Sequence, residues 1–450
     1  MGNYLKYHII TLGCQMNLSD SERVISKLNE YGYIWTDNEE EASLIGILAC
    51  SVRQKAIDKV YSRIHKWNKW KNHKNLITFI SGCMLPEDHE KFLKLFDITF
   101  QMKDLPGLPE MISRYGVTTP AHIKPGIDPY NENIEEFWNV KPSYQSEFEA
   151  FIPIQNGCDK FCTFCAVPYT RGREVSRPSK DILAELAVLV SQGYKSVTLL
   201  GQNVNSYGLD KKGEEILFPE LLRQAGELGI RMKKEFWVYF TSPHPRDMTD
   251  EVIEVIAKYP VLAKQIHLPM QSGDDRVLIR MNRKHNMEKY RQIVSAIRSL
   301  IPDATIFTDI IVGFTGETEE QFENTRRALE EFKFNMSYSA IYSPRPGATS
   351  HRWADDVPLE EKKRRLHVLT EELRKHNRLT NSSLVGKTVR ALVRGADRKP
   401  GFLSALTEGK LIVRFPKENE SLTGSFVDLK ITAASDFSME GELVKITEMV

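Results

Sequence analysis

Cys158-Asp159-Lys160-Phe161-Cys162-Thr163-Phe164-Cys165 brings three thiols together on one short stretch of chain. Three thiolates on a single loop hold three corners of an iron-sulfur cube and leave the fourth iron without a protein ligand. Zinc is the competing reading, but a structural zinc site wants a fourth ligand at matching spacing. The loop follows a strand-like run at 151–155. Further apolar runs at 196–200, 236–241, 265–268, 305–312 and 336–342 alternate with helical stretches such as 181–192, 249–258 and 319–332. Six strand-helix units predict an α/β architecture with a partial, TIM-like (β/α)6 barrel, whose active site lies at the carboxyl ends of its strands. The cysteine loop sits at the first of those ends.

Working outward, the other three cysteines each stand just past an apolar run: Cys14 after 7–12, Cys50 after 43–49 and Cys83 after 76–81. Their spacing is that of a strand, a crossover helix and the next turn. Residues 1–120 therefore read as an open parallel α/β domain, with a helix over 19–31 and three cysteines at one sheet edge. One cysteine in a sheet is more often a small core residue. Three at equivalent strand ends can hold a second cluster, again with one iron free, facing the first across the domain junction. Asn17 suits either a polar turn or a helix cap.

Pro120, Pro125, Pro129 and Pro142 mark a linker, set at 121–147. The barrel with its charged connecting helix (358–380) spans 148–380. Alternating runs at 388–393, 411–415, 426–432 and 442–446 predict a small antiparallel, OB-like barrel over 381–450.

The chain has 450 residues, 41% hydrophobic and 27% charged, which is ordinary soluble material too long for one core. No leader or membrane-length apolar run appears, so a cytoplasmic protein without a membrane partner is expected. Thiols stay reduced there, which favours metal ligation over disulfides. Lys plus Arg number 61 against 60 acidic residues, so a polyanion must be met by local patches. Candidates are Arg171, Arg173 and Arg177 after the cysteine loop, Arg345 at the last barrel strand, and Arg390, Arg394, Arg398 and Lys399 in the C-terminal barrel. Phe402, Phe415 and Phe426 are stacking candidates there, although so small a barrel needs most of them as core. At strand exits, Gln202, Asn203, Ser242, Gln271 and Asp309 are placed to meet a polar cofactor. His244 and His267, beside prolines, read as loop-fixing residues.

The cysteine loop and partial barrel resemble the radical S-adenosylmethionine enzymes. The runs Gly13-Cys14-Gln15-Met16-Asn17, Tyr169 to Pro178, Leu200 to Asn205, His267 to Gly273 and Tyr342 to Gly347 sharpen this. They resemble the MiaB-type tRNA methylthiotransferases over nearly the whole chain, including a C-terminal TRAM domain. The resemblance implies two 4Fe-4S clusters, one on each cysteine triplet, and S-adenosylmethionine, two molecules per turnover. It also implies that Phe164 and Val312 belong with the cosubstrate site, and that a methylthio group goes onto carbon 2 of isopentenyladenosine beside the tRNA anticodon. Sister branches act on threonylcarbamoyl-adenosine or a ribosomal-protein aspartate, and Gln15-Met16-Asn17 favours the isopentenyl branch. Asp274 and Thr315 depart from the usual family wording, where Ser and Pro are common. The expected partners are a tRNA anticodon stem-loop and an electron donor such as flavodoxin or ferredoxin, with the enzyme a monomer. An aromatic C–H has no proton that a side chain removes at neutral pH, which is why radical chemistry fits.

Overall fold

A computed structural model describes residues 6–51, 54–114, 134–417 and 422–446. Strands β1 (Lys6–Leu12), β2 (Ile34–Trp35), β3 (Leu44–Cys50), β4 (Ile77–Cys83) and β5 (Ile98–Thr99) form a parallel sheet in the order β2-β1-β3-β4-β5. The central β3, Leu-Ile-Gly-Ile-Leu-Ala-Cys, is buried along its whole length, as a parallel strand covered on both faces must be. One face packs on the helix Gln15–Glu30 through Val24, Ile25 and Leu28. The other packs on the helix Gln54–Trp70 through Val60, Ile64 and Trp67. The segment read as a linker contains a helix, Ile134–Asn139, which buries Phe137 and Trp138 in the first of these cores. Pro120, Pro125 and Pro129 lie outside the described residues.

The barrel begins with β6 (Glu149–Pro153), followed by two short strands, β7 (Gln155–Asn156) and β8 (Val175–Ser176). These two pair antiparallel and fold the cysteine loop back on itself, a ladder too short for any sequence period to reveal. Then come β9 (Ser196–Leu200), β10 (Trp237–Phe240), β11 (Gln265–His267), β12 (Thr305–Val312) and β13 (Met336–Ile341). β6, β9 and β10 form one parallel set and β11 to β13 another. A parallel bridge between Val238 of β10 and Leu262, just ahead of β11, brings the two sets side by side, giving the six staves expected. Alternate residues such as Ile152, Val197, Val238, Ile266 and Ile306 point outward into one core shared with the surrounding helices.

The C-terminal domain is a closed barrel of β14 (Thr388–Ala396), β15 (Phe402–Thr407), β16 (Ile412–Pro416), β17 (Phe426–Ala434) and β18 (Met439–Ile446), ordered β14-β15-β16-β18-β17. Sequence periodicity misses β15, and β16 pairs with β18 in parallel, so closure is not wholly antiparallel. This barrel docks on the amino ends of the central staves. Phe426 meets Trp237 edge-on at 4.6 Å, and Arg394 pairs with Glu149, the first residue of β6. The turn after β15 enters the same mouth, where Tyr239 Oη donates to the Glu408 carbonyl (3.0 Å) and Thr305 Oγ1 to that of Gly409 (2.7 Å).

Candidate metal centre

Both cysteine triads lie at the carboxyl ends of the staves. In the loop triad, Cys158 and Cys162 are buried and Cys165 is half-buried. The loop needs unusual backbone: Gly157 sits at φ +79°, where a Cβ would come within 1.9 Å of the Arg173 carbonyl oxygen. Phe161 is also left-handed (φ +49°), and Asn282 Nδ2 donates to its carbonyl at 2.9 Å. Burial pushes the Cys158 thiol up to about 12, with Cys165 adding to it, and burial with Cys162 pushes Cys165 up to about 11. Thiols raised this far stay protonated at neutral pH, and a bound metal ion would stabilise the thiolates and release the protons to solvent.

The strand-end triad is assembled by register. Cys50 and Cys83 are paired neighbours at the ends of β3 and β4, and Cys14 caps the helix that follows β1. Contact with the Cys50 thiol and burial push the Cys83 thiol up. Asn17 ties the third member in: its Oδ1 accepts from the Cys14 amide (3.4 Å) while its Nδ2 donates to the Ala49 carbonyl (3.2 Å). That back-bonding starts the helix at Gln15, four residues before the expected 19. Cys14 packs against Met16, Phe151 and Leu200, so this triad faces the barrel mouth. Among the described residues no three His, Cys, Asp or Glu side chains converge closely enough for a single metal ion. The all-thiol donor sets suit a multi-iron cluster, which spreads its ligands, better than one zinc.

Around the loop triad lies a buried polar group. Arg283 Nη1 donates to Cys162 Sγ (3.5 Å) and its Nη2 to the Pro269 carbonyl (3.0 Å). Lys160 pairs with Asp247 at 2.9 Å. Gln202 Oε1, Asn203 Oδ1, His244 Nε2 and Glu174 Oε2 are buried with no protein partner, and His285 is buried beside His244 with the two rings 5.7 Å apart. Burial, reinforced by Arg283, pushes His285 down to about 3, and the same causes push His244 down, so both rings are neutral at physiological pH. Burial pushes the Glu174 carboxyl up to about 7. Buried polar atoms in a protein are normally satisfied. These orphans at a barrel mouth fit a cosubstrate that carries amino, carboxylate and ribose groups.

Of the remaining candidates, Ser242 (φ +58°) and Gln271 (φ +71°) hold left-handed backbone at strand exits, a strain that gathers at functional sites. Asp309 Oδ2 lies 3.0 Å from His267 Nε2 inside the barrel. Phe164 packs on the cluster of Val277, Phe314 and Tyr342. Val312 is fully buried, ahead of Gly313, whose amide donates to Glu317 Oε2 (2.6 Å). Asp274 caps the helix Asp275–Arg280 by accepting from the amides of Arg276 and Val277. His244 does fix its loop, accepting from the Arg246 amide at 3.1 Å.

The basic patches need correction. Arg171 and Arg177 are buried and paired with Asp20 (2.5 Å) and Glu185 (2.6 Å), so they do not face a phosphate. Arg390 is held by Glu235 and Asp428 and Arg394 by Glu149, bolting two domains together. Phe415 and Phe426 are core. Arg173 pairs with Asp159 (2.9 Å) and Lys399 with Glu440 (2.8 Å), but both stay exposed, as does Arg398; Lys399 lies over the Phe402 ring at 3.9 Å, and Arg345 donates to Gln54 beside Cys50. Sequence reading passed over Lys160, Glu174, Arg283 and His285. Lys160 lay in plain view within the cysteine loop, but nothing periodic marks the others.

Three family models match: the radical SAM superfamily at 152–329, the uncharacterized protein family UPF0004 at 6–102 and the TRAM domain at 382–444. Proteins called tRNA-2-methylthio-N(6)-dimethylallyladenosine synthase from Cronobacter sakazakii and Salmonella arizonae are 39% and 40% identical over 448 residues, 98% of this chain and 92% of each relative. Among solved structures, the radical S-adenosylmethionine methyltransferase TsrM from Kitasatospora setae superposes with a TM-score of 0.56 at 13% identity, covering 78% of this chain and 76% of that one. At that identity it shares the fold alone.

Proposed function

The chain belongs to the radical S-adenosylmethionine methylthiotransferase family, and from that premise we propose that it is a tRNA-2-methylthio-N(6)-dimethylallyladenosine synthase, replacing the hydrogen on carbon 2 of an isopentenyladenosine beside the anticodon with a methylthio group. The observation that carries the reading is the meeting of two thiol triads at one barrel mouth, with Cys14 packed on Phe151 and Leu200 of the staves. When bound, the cofactors supply one-electron cleavage of a sulfonium, a carbon radical able to take an aromatic hydrogen, and a thiophilic iron that holds sulfur beside the base. Cys158, Cys162 and Cys165 would hold the first cluster, and Cys14, Cys50 and Cys83 the second. Gln202, Asn203 and Glu174 would orient the polar groups of S-adenosylmethionine, and Val312-Gly313 would receive its adenine. The N-terminal domain meets the barrel mouth through Cys14 and Met16, which pack on Phe151 and Leu200. Two molecules of S-adenosylmethionine serve each turnover, one as methyl donor and one as radical source.

Arg173 and Arg345 on the mouth side, and Arg398 and Lys399 on the TRAM barrel, are the proposed phosphate contacts. Because that barrel docks at the opposite end of the staves, a stem-loop touching both must run along the barrel's flank. A target base swung out of its stack costs a few kcal/mol, which such spread contacts offset. The proposed setting is a cytoplasmic monomer reduced by a flavodoxin or ferredoxin; no described helix is long and apolar enough to cross a membrane. Mass spectrometry of tRNA nucleosides from a deletion strain tests the reading. Methylthio-isopentenyladenosine should vanish and return with the gene, and its persistence would refute the proposal.

A further inference from the structure

Arg171 is a buried cation that no step above uses. It ends the helix Val167–Arg171, directly after the cysteine loop, and its backbone belongs to that loop: its carbonyl accepts from Asn156 Nδ2 (3.0 Å), and the next carbonyl, of Gly172, accepts from the Cys158 amide (3.2 Å). Its side chain crosses to the other domain. Nε–H donates to Cys83 Sγ at 2.9 Å, Nη2 to Asp20 Oδ2 at 2.5 Å and Nη1 to Asn156 Oδ1 at 3.2 Å. Cys14 also lies within its field. Asp20 is fully buried, and one of its oxygens, Oδ1, has no protein partner.

We propose that Arg171 is a positioning residue that sets the reduction potential of the cluster on Cys14, Cys50 and Cys83. The inference rests on the assignment of a cluster to that triad. Reduction adds one electron to a centre already surrounded by thiolates. A buried guanidinium that donates a hydrogen bond to a ligand sulfur stabilises the more negative state, and so raises the potential. Asp20 opposes it, and the net field depends on both. Lysine cannot reproduce this, because the fork of donors that reaches sulfur and carboxylate together is particular to arginine. Since the same residue's backbone braces Cys158, the tuning group is fixed in place by the loop that carries the other cluster.

The test uses the full-length chain with Cys158, Cys162 and Cys165 all replaced by alanine, reconstituted anaerobically with iron and sulfide. Only the strand-end cluster is then titrated with dithionite through viologen mediators and read by electron paramagnetic resonance. Arg171→Gln should move the midpoint to more negative potential, Asp20→Asn to more positive potential, and Arg171→Lys should fall between wild type and Arg171→Gln. Opposite signs at two touching residues are what an electrostatic role requires and a packing role does not produce. Unchanged midpoints, shifts of the same sign, or loss of iron in both variants without a change in potential overturn the proposal. A parent chain that binds no iron removes the cluster assignment itself, which separates the two failures.

Discussion

The two thiol triads are assembled by opposite means. The loop triad is local: eight residues, Cys158 to Cys165, carry it, and the chain bends there only because Gly157 and Phe161 accept left-handed backbone. The strand-end triad is global. It exists because β1, β3 and β4 lie side by side in register, with Cys50 opposite Cys83. A local site fails by strain, whereas a global site fails by slippage or by loss of the sheet. Each is nevertheless bound to the other, through Arg171.

The largest effect should come from removing ligands. Cys162→Ala and Cys83→Ala should each abolish the methylthiolated product and lower bound iron by about four atoms, one cube of the two. Only Cys162→Ala should also stop formation of 5′-deoxyadenosine. Equal loss of cleavage in both would dissolve the distinction between the triads. Next come the glycines that precede a cysteine on each side. A Cβ on Gly157 meets the Arg173 carbonyl at 1.9 Å, and one on Gly82 (φ +111°) meets the Ala49 carbonyl at 2.3 Å. Alanine at either should cost at least about 3 kcal/mol in urea unfolding. Iron analysis should show the loss confined to the adjacent triad.

Glu22 sharpens the comparison on the domain side, since it lies on the helix behind the strand-end triad and accepts from the Gln145 amide at 3.2 Å. Burial pushes its carboxyl up to about 7 from 4.5, with Arg23 opposing. A raised acid contributes stability below pH 4.5 that is lost as pH rises through 7. Between pH 5 and 8 the apo protein should therefore lose roughly 3 kcal/mol that Glu22→Gln keeps. Parallel urea-midpoint profiles for the two proteins would contradict this. The smallest effect is expected from Asn17→Ala, which leaves all six thiols but frees Cys14 from Ala49. Iron retention against a chelator should fall by about 10–100-fold at the strand-end triad and stay unchanged at the loop.

The amino-acid order alone determined the loop triad, the six staves and the spacing that sends Cys14, Cys50 and Cys83 to one edge. Each of these is a short-range pattern, a period of two in strands or a helix-length interval between them. It did not reveal β15 or the short β7 and β8, whose runs are too brief to show a period. Nor did it reveal which charges stay in water. Arg171, Arg177, Arg390 and Arg394 look alike in sequence to Arg173 and Arg398, yet Arg171, Arg390 and Arg394 are taken by carboxylates from distant parts of the chain and Arg177 by Glu185, one helix away. The tertiary structure alone decided that Arg171 faces a sulfur, that His285 and Glu174 join Gln202 and Asn203, and that the C-terminal barrel seats on the far end of the staves. Burial, and most of these pairings, depend on contacts between segments far apart in the chain, and no local pattern encodes them.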